Sequence, residues 1–98
     1  MKVGETLGKI VNASDADFDV VTSSDEWVLV DFWAPWCGPC KTLGPALEAE
    51  VVASSGAVKM VKIDVDQNQS IAQQMRIQSI PSVLEFRQKE YLLKSLKL

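Results

Sequence analysis

The stretch WAPWCGPCK, residues 33–41, contains the only two cysteines of the chain, separated by two residues. It follows WVLVDFW, residues 27–33, a run rich in β-branched and aromatic side chains that is almost uninterrupted by polar residues. Such a run predicts a strand that is covered on both faces, as in a sheet flanked by helices. The two cysteines are therefore expected directly after a buried strand.

A helix is predicted to begin at the cysteines. The apolar residues that share one face at helical spacing are Cys40, Leu43, Leu47 and Val51. Pro45 removes a backbone donor inside this helix, so we expect a kink there. The sequence Ser-Ser-Gly at residues 54–56 is expected to end it.

Further helices and strands alternate along the chain. They are a short helix in residues 14–23 that a serine caps, a strand in residues 58–65, a short helix around Ile71, Ala72 and Met75 that Asn68 caps, and a strand in residues 80–86 entered through a proline. Trp27 and Trp33 are expected to be packing residues. This alternation predicts an α/β fold with helices on both faces of a sheet.

Length and composition limit the possible functions. The 98 residues are expected to form one domain, residues 1–98. The net charge is −3 and the basic residues are scattered, so no nucleic-acid surface is expected. No apolar run approaches the roughly 20 residues that span a bilayer, and the N-terminus lacks the pattern of a signal peptide.

The chain contains no histidine, which excludes His-based acid–base catalysis and a mixed Cys/His zinc site within one chain. Two thiols alone do not complete a zinc or iron–sulfur site, so a metal would need a second chain. A passive disulfide is a poor alternative because so small a loop constrains the unfolded chain very little. A redox pair is the favoured interpretation, and neither a metal nor a cofactor is expected.

The spacing of the cysteines suits thiol–disulfide exchange. A thiolate attacks a disulfide, whereas an ordinary cysteine with a pKa of about 8.5 is mostly protonated at neutral pH. Placing Cys37 at a helix start supplies unpaired N–H groups and the positive end of the helix dipole, and both favour the thiolate. Cys40 lies one turn further, close enough to attack a mixed disulfide formed by Cys37. Gly38 and Pro39 restrict the turn between them.

The segment VDFWAPWCGPCK, residues 30–41, resembles the active-site segment of the thioredoxin family nearly letter for letter. The similarity continues in the family's order through KTLGPALE, VKIDVD and IQSIPSV, from about Phe18 to Phe86. A C-x-x-C motif after a buried strand, with a downstream Ile-Pro, is far more specific than C-x-x-C alone. The resemblance implies the thioredoxin fold, with a central mixed sheet flanked by helices.

The resemblance also implies roles for individual residues. Asp31 would be a buried acid with a raised pKa that takes and returns the proton of the Cys40 thiol, although a strand-end charge that reaches solvent is the alternative. Lys62 matches a lysine that lies near this aspartate in the thioredoxin family. The alternative is that Lys62 is an ordinary strand lysine exposed to solvent. Trp36 would form part of the substrate surface, together with Gly38 and Pro39.

The Ile80–Pro81 bond is expected in cis by resemblance, although about one X–Pro bond in twenty is cis in folded proteins. The turn would present the Ile80 backbone to an extended client peptide, which pairs with it as an added strand.

The C-terminal part departs from the family pattern. Residues 87–90 lack the glycine of the usual hairpin turn, Lys97 aligns with a late glycine, and no terminal helix follows before Leu98. Residues 89–98 fit neither the helical nor the strand period. We therefore expect a truncated or altered C-terminal part: an irregular last strand, a short helix over the gap, or a dimer formed through the uncovered sheet face or by exchange of the C-terminal segment.

Two functions follow from these features. The first is a cytoplasmic thiol–disulfide oxidoreductase that reduces protein disulfides, with a thioredoxin reductase as electron donor; an organelle matrix is the alternative location if a targeting segment was removed. The second is a thioredoxin-fold chaperone or binding module with little redox role. Replacing both cysteines discriminates between them, because only the binding role would survive.

Overall fold

The computed structural model describes residues 10–23 and 26–87. The elements in chain order are β1 (Ile10–Asn12), α1 (Phe18–Thr22), β2 (Trp27–Trp33), α2 (Gly38–Ala53), β3 (Val58–Asp64), α3 (Gln69–Gln74) and β4 (Ser82–Arg87). The predicted alternation of helices and strands is confirmed. The strand β1 was not predicted from the sequence, because three residues are too few to show the alternation of a strand.

The four strands form one mixed sheet in the order β1-β3-β2-β4. β1 and β2 run parallel to β3, whereas β4 is antiparallel to β2. β2 therefore has a strand on each side, which explains its nearly continuous apolar sequence. The register places Asp31 opposite Lys62 of β3 and Val83 of β4.

The main core lies on one face of this sheet. The side chains of Val28, Val30 and Phe32 in β2 are completely buried there. They pack with Phe18 of α1 and Ile71 of α3 in one apolar cluster, so both short helices are held by that face. The alternate residues of β2, Asp31 among them, point to the opposite face.

The start of α1 differs from the prediction. The helix begins at Phe18, and Asp17 rather than Ser14 occupies its N-cap position. Ser14 instead donates from its backbone N–H and its hydroxyl to the Asp17 carboxylate, at 2.7 and 3.1 Å. The bond from the Ser14 backbone lowers the pKa of Asp17.

The predicted cap of α3 is also wrong. Asn68 stands at the N-cap position, but its side chain makes no capping bond. Its amide accepts from the Asp15 N–H and donates to the Asp64 carbonyl, both at 3.0 Å. The Asp15 carboxylate accepts from the Ile71 N–H at 2.7 Å, so a residue 56 positions earlier satisfies the helix N-terminus.

Trp27 was expected to pack, but it is 39% exposed because it begins β2 at the edge of the core. Trp33, at the other end of the strand, is half-buried. α2 contains Pro45 and ends at Ala53, directly before the predicted stop at residues 54–56. There Ser55 and Gly56 turn the chain with positive φ values of 56° and 92°.

Within residues 10–23 and 26–87, no helix combines the length and apolar character needed to cross a membrane. The predictions about residues 89–98, Lys97 and the exchange of the C-terminal segment lie outside the described residues.

Candidate active site

The two cysteines form a disulfide at the N-terminus of α2. Cys37 is the N-cap residue, and its Cα lies 5.3 Å from that of Cys40. The backbone N–H of Cys40 donates to the Cys37 sulfur at 3.2 Å. Because the first N–H groups of a helix have no partner inside it, they favour negative charge at this sulfur once the disulfide is reduced.

The connection between β2 and α2 fixes this position. The Cys37 N–H donates to the Ala34 carbonyl at 3.1 Å, which forms a tight turn after the strand. Pro39 lies in the first turn of the helix, where its missing N–H costs nothing. A Cβ at residue 38 would meet no atom within 4 Å, so close packing does not require the glycine there.

Asp31 lies behind the disulfide and is 2% exposed. A cavity of about 230 Å³ is lined by Asp31, Trp33, Cys40, Lys41, Gly44, Pro45, Glu48 and Lys62. Burial raises the pKa of Asp31; the nearby Lys62 ammonium opposes this increase, and the Glu48 carboxylate adds to it. The buried residue Asp31 and Cys40 thus line the same cavity.

Lys62 is directed to the rim of this cavity. Its ammonium lies 2.6 Å from the Glu48 carboxylate and 5.4 Å from the centre of the Trp33 ring. The family resemblance implied that Lys62 lies near Asp31, whereas Glu48 was not predicted. A signal existed, because residues 40, 44 and 48 are successively one turn apart on the same helix face.

A second depression lies beside Trp36, which is 68% exposed. It has a volume of about 390 Å³ and is lined by Trp36, Val65, Ala72, Ile77, Gln78, Ser79 and Ile80. The indole N–H of Trp36 donates to the Asp66 carboxylate at 2.8 Å, a contact that the sequence analysis missed.

Ile80 joins this depression to the cysteines. It packs against the cluster of Ala34, Cys37 and Cys40, and the Ile80–Pro81 bond is cis, as the resemblance implied. The structure thus places Asp31, Cys40 and Lys62 around one cavity, and Trp36 and Ile80 around another. Among the described residues, no group of three or more Cys, Asp or Glu side chains is arranged to hold a metal ion.

The sequence profile of the thioredoxin family, described as "Thioredoxin", matches residues 9–96. This chain belongs to the thioredoxin family. It is 46% identical over 79 residues to a thioredoxin of Haemophilus influenzae, covering 80% of this chain and 74% of that protein. It is 47% identical over 81 residues to a thioredoxin of Bacillus subtilis, covering 83% and 77%.

Solved structures agree with this assignment. A thioredoxin of Malassezia sympodialis superposes with a TM-score of 0.74 at 37% identity, over 81% of this chain and 72% of that chain. A chloroplastic thioredoxin z superposes with a TM-score of 0.75 at 37% identity, over 82% and 72%.

Family membership and the paired cysteines together make this chain a thiol–disulfide oxidoreductase of the protein-disulfide reductase type. The alternative of a binding module with little redox role is not favoured. Membership also implies, in general terms, client proteins that contain disulfides and a reductase that supplies electrons.

Proposed function

We propose that the chain reduces protein disulfides with Cys37 as the attacking sulfur, Cys40 as the resolving thiol and Asp31 as the group that takes the Cys40 proton. The observation that carries this proposal is the shared cavity behind the disulfide. Cys40 lines the same cavity as Asp31, whose pKa is raised by burial, while Cys37 lies at the helix N-terminus. The two sulfurs thus have different surroundings, which suits different roles.

In the first step the Cys37 thiolate attacks one sulfur of the client disulfide. A bond forms between Cys37 and that sulfur, the client S–S bond breaks, and the second client sulfur leaves as a thiolate. The Cys40 N–H, which contacts the Cys37 sulfur at 3.2 Å, supports the attacking thiolate.

In the second step the Cys40 thiol gives its proton to the Asp31 carboxylate and attacks the Cys37 sulfur. The Cys37–Cys40 disulfide forms, and the remaining client sulfur leaves and is protonated. Two electrons have then passed from the dithiol to the client, and the chain is in the oxidised state seen here. A carboxyl group with a raised pKa is a better proton acceptor than an ordinary aspartate.

The client is proposed to bind where the disulfide reaches the surface. Trp36, Gly38 and Pro39 are exposed around the cysteines, and Ile80 and Pro81 form the opposite side. An extended client segment pairs with the Ile80 backbone while an apolar side chain enters the depression beside Trp36. This arrangement brings a client sulfur to Cys37.

A thioredoxin reductase that uses NADPH is the proposed electron donor, and the cytoplasm is the proposed location, because the cytosol favours reduction. We expect no nucleic-acid or membrane partner. A dimer through an uncovered sheet face stays a prediction, and the molecular mass in solution at several protein concentrations tests it.

Trapping the intermediate tests the roles of the two sulfurs. Cys40→Ser cannot resolve the mixed disulfide, so incubation with an oxidised client is expected to give a covalent complex linked through Cys37. The control is Cys37→Ser, which should give none. A complex that forms equally with Cys37→Ser would refute the assigned order of attack.

The pH dependence tests Asp31. If its carboxylate takes the Cys40 proton, the rate of client reduction by the wild type falls at low pH, because Asp31 becomes protonated. Asp31→Asn is expected to lack this pH dependence. It is also expected to reduce the client more slowly by about 10²-fold or more. An unchanged pH profile in Asp31→Asn would remove Asp31 from the mechanism.

A further inference from the structure

Glu48 and Lys62 line the Asp31 cavity and form an ion pair there, but the mechanism above uses neither of them. Glu48 lies on α2, two turns after Cys40, on the side that faces β3. Its side chain is about one-third exposed, so its carboxylate stands at the rim of the cavity rather than inside it.

Lys62 lies between Glu48 and Asp31. The β2–β3 register places Lys62 directly opposite Asp31, and a Cβ on residue 44 would be 3.9 Å from both the Lys62 ammonium and an Asp31 oxygen. The two groups are therefore close to each other. Within the described part of the chain, however, the ion pair of Lys62 is with Glu48, at 2.6 Å.

We propose that Glu48 is a positioning residue of this active site: its carboxylate holds the Lys62 ammonium at the cavity rim and so prevents a direct ion pair between Lys62 and Asp31. The face of the Trp33 ring, 5.4 Å from the ammonium, supports the same placement. This inference rests on the proposed function, in which Asp31 takes the Cys40 proton.

The physical reason is electrostatic. A lysine in contact with Asp31 would stabilise the carboxylate and make it a weaker base toward the Cys40 thiol. The like charge of Glu48 raises the pKa of Asp31 directly. In the proposed arrangement Glu48 also acts indirectly, because it holds the ammonium of Lys62 at 2.6 Å. Removal of the Glu48 charge is therefore expected to lower the pKa of Asp31.

Other charged groups face Asp31 as well. Lys41 of α2 lines the cavity. Glu85 of β4 shares the sheet face of Asp31 by register and is exposed. Asp64 of β3 shares that face too, but its carboxylate accepts from the Asp66 N–H at 2.9 Å. These groups stay in place in each variant below, so differences between variants report on Glu48 and Lys62.

Carboxyl carbon NMR titration of the oxidised protein tests the inference without any enzymatic assay. Glu48→Gln is expected to shift the Asp31 titration to lower pH than in the wild type. Glu50→Gln is the matched control, because it removes the same charge from an exposed position of the same helix and is expected to leave Asp31 unchanged. An Asp31 titration that is unaltered in Glu48→Gln, or altered equally in Glu50→Gln, would overturn the proposal.

A second pair of variants isolates the contribution of Lys62. If Glu48 acts by holding that ammonium, Glu48→Gln shifts the Asp31 titration less in a Lys62→Met background than in the wild type. An equal shift in both backgrounds would show that the charge of Glu48 acts directly and would refute the positioning role.

Client reduction gives the corresponding kinetic result. Glu48→Gln is expected to extend activity to lower pH and to lower the plateau rate by up to about fivefold, the largest factor that corresponds to the energy of an exposed ion pair. A different result would refute the proposed function and not this inference. In that case Asp31→Asn keeps the wild-type pH profile of client reduction, although Glu48→Gln still shifts the NMR titration of Asp31.

Discussion

Replacing Asp31 with asparagine is expected to stabilise the folded protein at neutral pH, even though it impairs the chemistry. The side chain is 2% exposed, and the neighbouring Lys62 forms its ion pair with Glu48 rather than with Asp31. Ionising a buried carboxyl group costs free energy in the folded state, whereas in the unfolded chain the group is solvated and ionises without this cost. Asparagine has nearly the same shape and carries no charge.

The sign of the pH dependence follows from the raised pKa of Asp31. Between the ordinary aspartate pKa of about 3.9 and the raised value in the folded protein, the folded state holds more protons than the unfolded state. The free energy of unfolding contributed by Asp31 therefore falls as pH rises through that interval, by at most about 1.4 kcal/mol per pH unit, and is constant above it.

The expected gain follows from the burial of the group. Asparagine cannot ionise, so at pH 7 Asp31→Asn should gain the free energy that ionising the buried carboxyl group costs, about 1.4 kcal/mol for each pH unit by which the pKa of Asp31 is raised. For a chain of this size each kcal/mol corresponds to roughly 4–8 °C in Tm. Near pH 3 both proteins are neutral at this position, and the difference should largely vanish.

Urea unfolding of the oxidised proteins at a series of pH values measures this difference. The disulfide stays intact, so no thiol titrates. Glu50→Gln is the control, because it removes the same charge from an exposed position and should change stability by no more than about 0.5 kcal/mol. A difference between Asp31→Asn and the wild type that is constant from pH 3 to pH 7, or a loss of stability at pH 7, would contradict the assignment of a costly buried carboxylate.

Three further substitutions test the surroundings of the site. Gly44→Ala should raise stability by about 0.5–1 kcal/mol in urea unfolding, because its Cβ meets only ordinary contacts at 3.9 Å and alanine favours a helix; a loss would contradict the observed space. Asp15→Ala should cost about 1 kcal/mol and speed amide exchange at Ile71, whose N–H it leaves unpaired; unchanged exchange would exclude the cap. Asp66→Ala should alter Trp36 fluorescence and raise the client KM a few-fold without changing stability by more than about 0.5 kcal/mol, whereas an unchanged KM would separate this contact from client binding.

The sequence was sufficient for features that depend on local pattern. The apolar run at residues 27–33 predicted β2 with its observed bounds, because a central strand of a covered sheet excludes polar residues on both faces. The cysteine pair at a predicted helix start gave the position of the disulfide. The resemblance added the cis Ile80–Pro81 bond, which no local pattern would have predicted.

Contacts between distant residues could not be read in this way. Glu48 and Lys62 are 14 positions apart, Trp36 and Asp66 are 30 apart, and these pairs meet only because the register of the sheet and the direction of α2 bring them together. A single sequence specifies which charges exist but not which of them become neighbours.

The caps show the same limit. Asp15 lies inside residues 14–23, the segment predicted as the first helix, yet it satisfies the N-terminus of α3. Asn68 has the side chain and position of a local cap, but it binds the Asp15 N–H and the carbonyl of Asp64 at the end of β3 instead. The capping preferences of local residues predicted approximately where each helix begins. Tertiary contacts decided which side chain accepts the unpaired N–H groups of the helix N-terminus.

Reduction of insulin disulfides by the whole chain, with dithiothreitol as electron donor, tests the central claim most directly. The account predicts that the wild type precipitates the insulin B chain faster than dithiothreitol alone, and that Cys37→Ser and Cys40→Ser fall to the background rate. A Cys37→Ser variant with the wild-type rate, or a folded wild type with no acceleration, would contradict the claim that these two cysteines carry out the exchange.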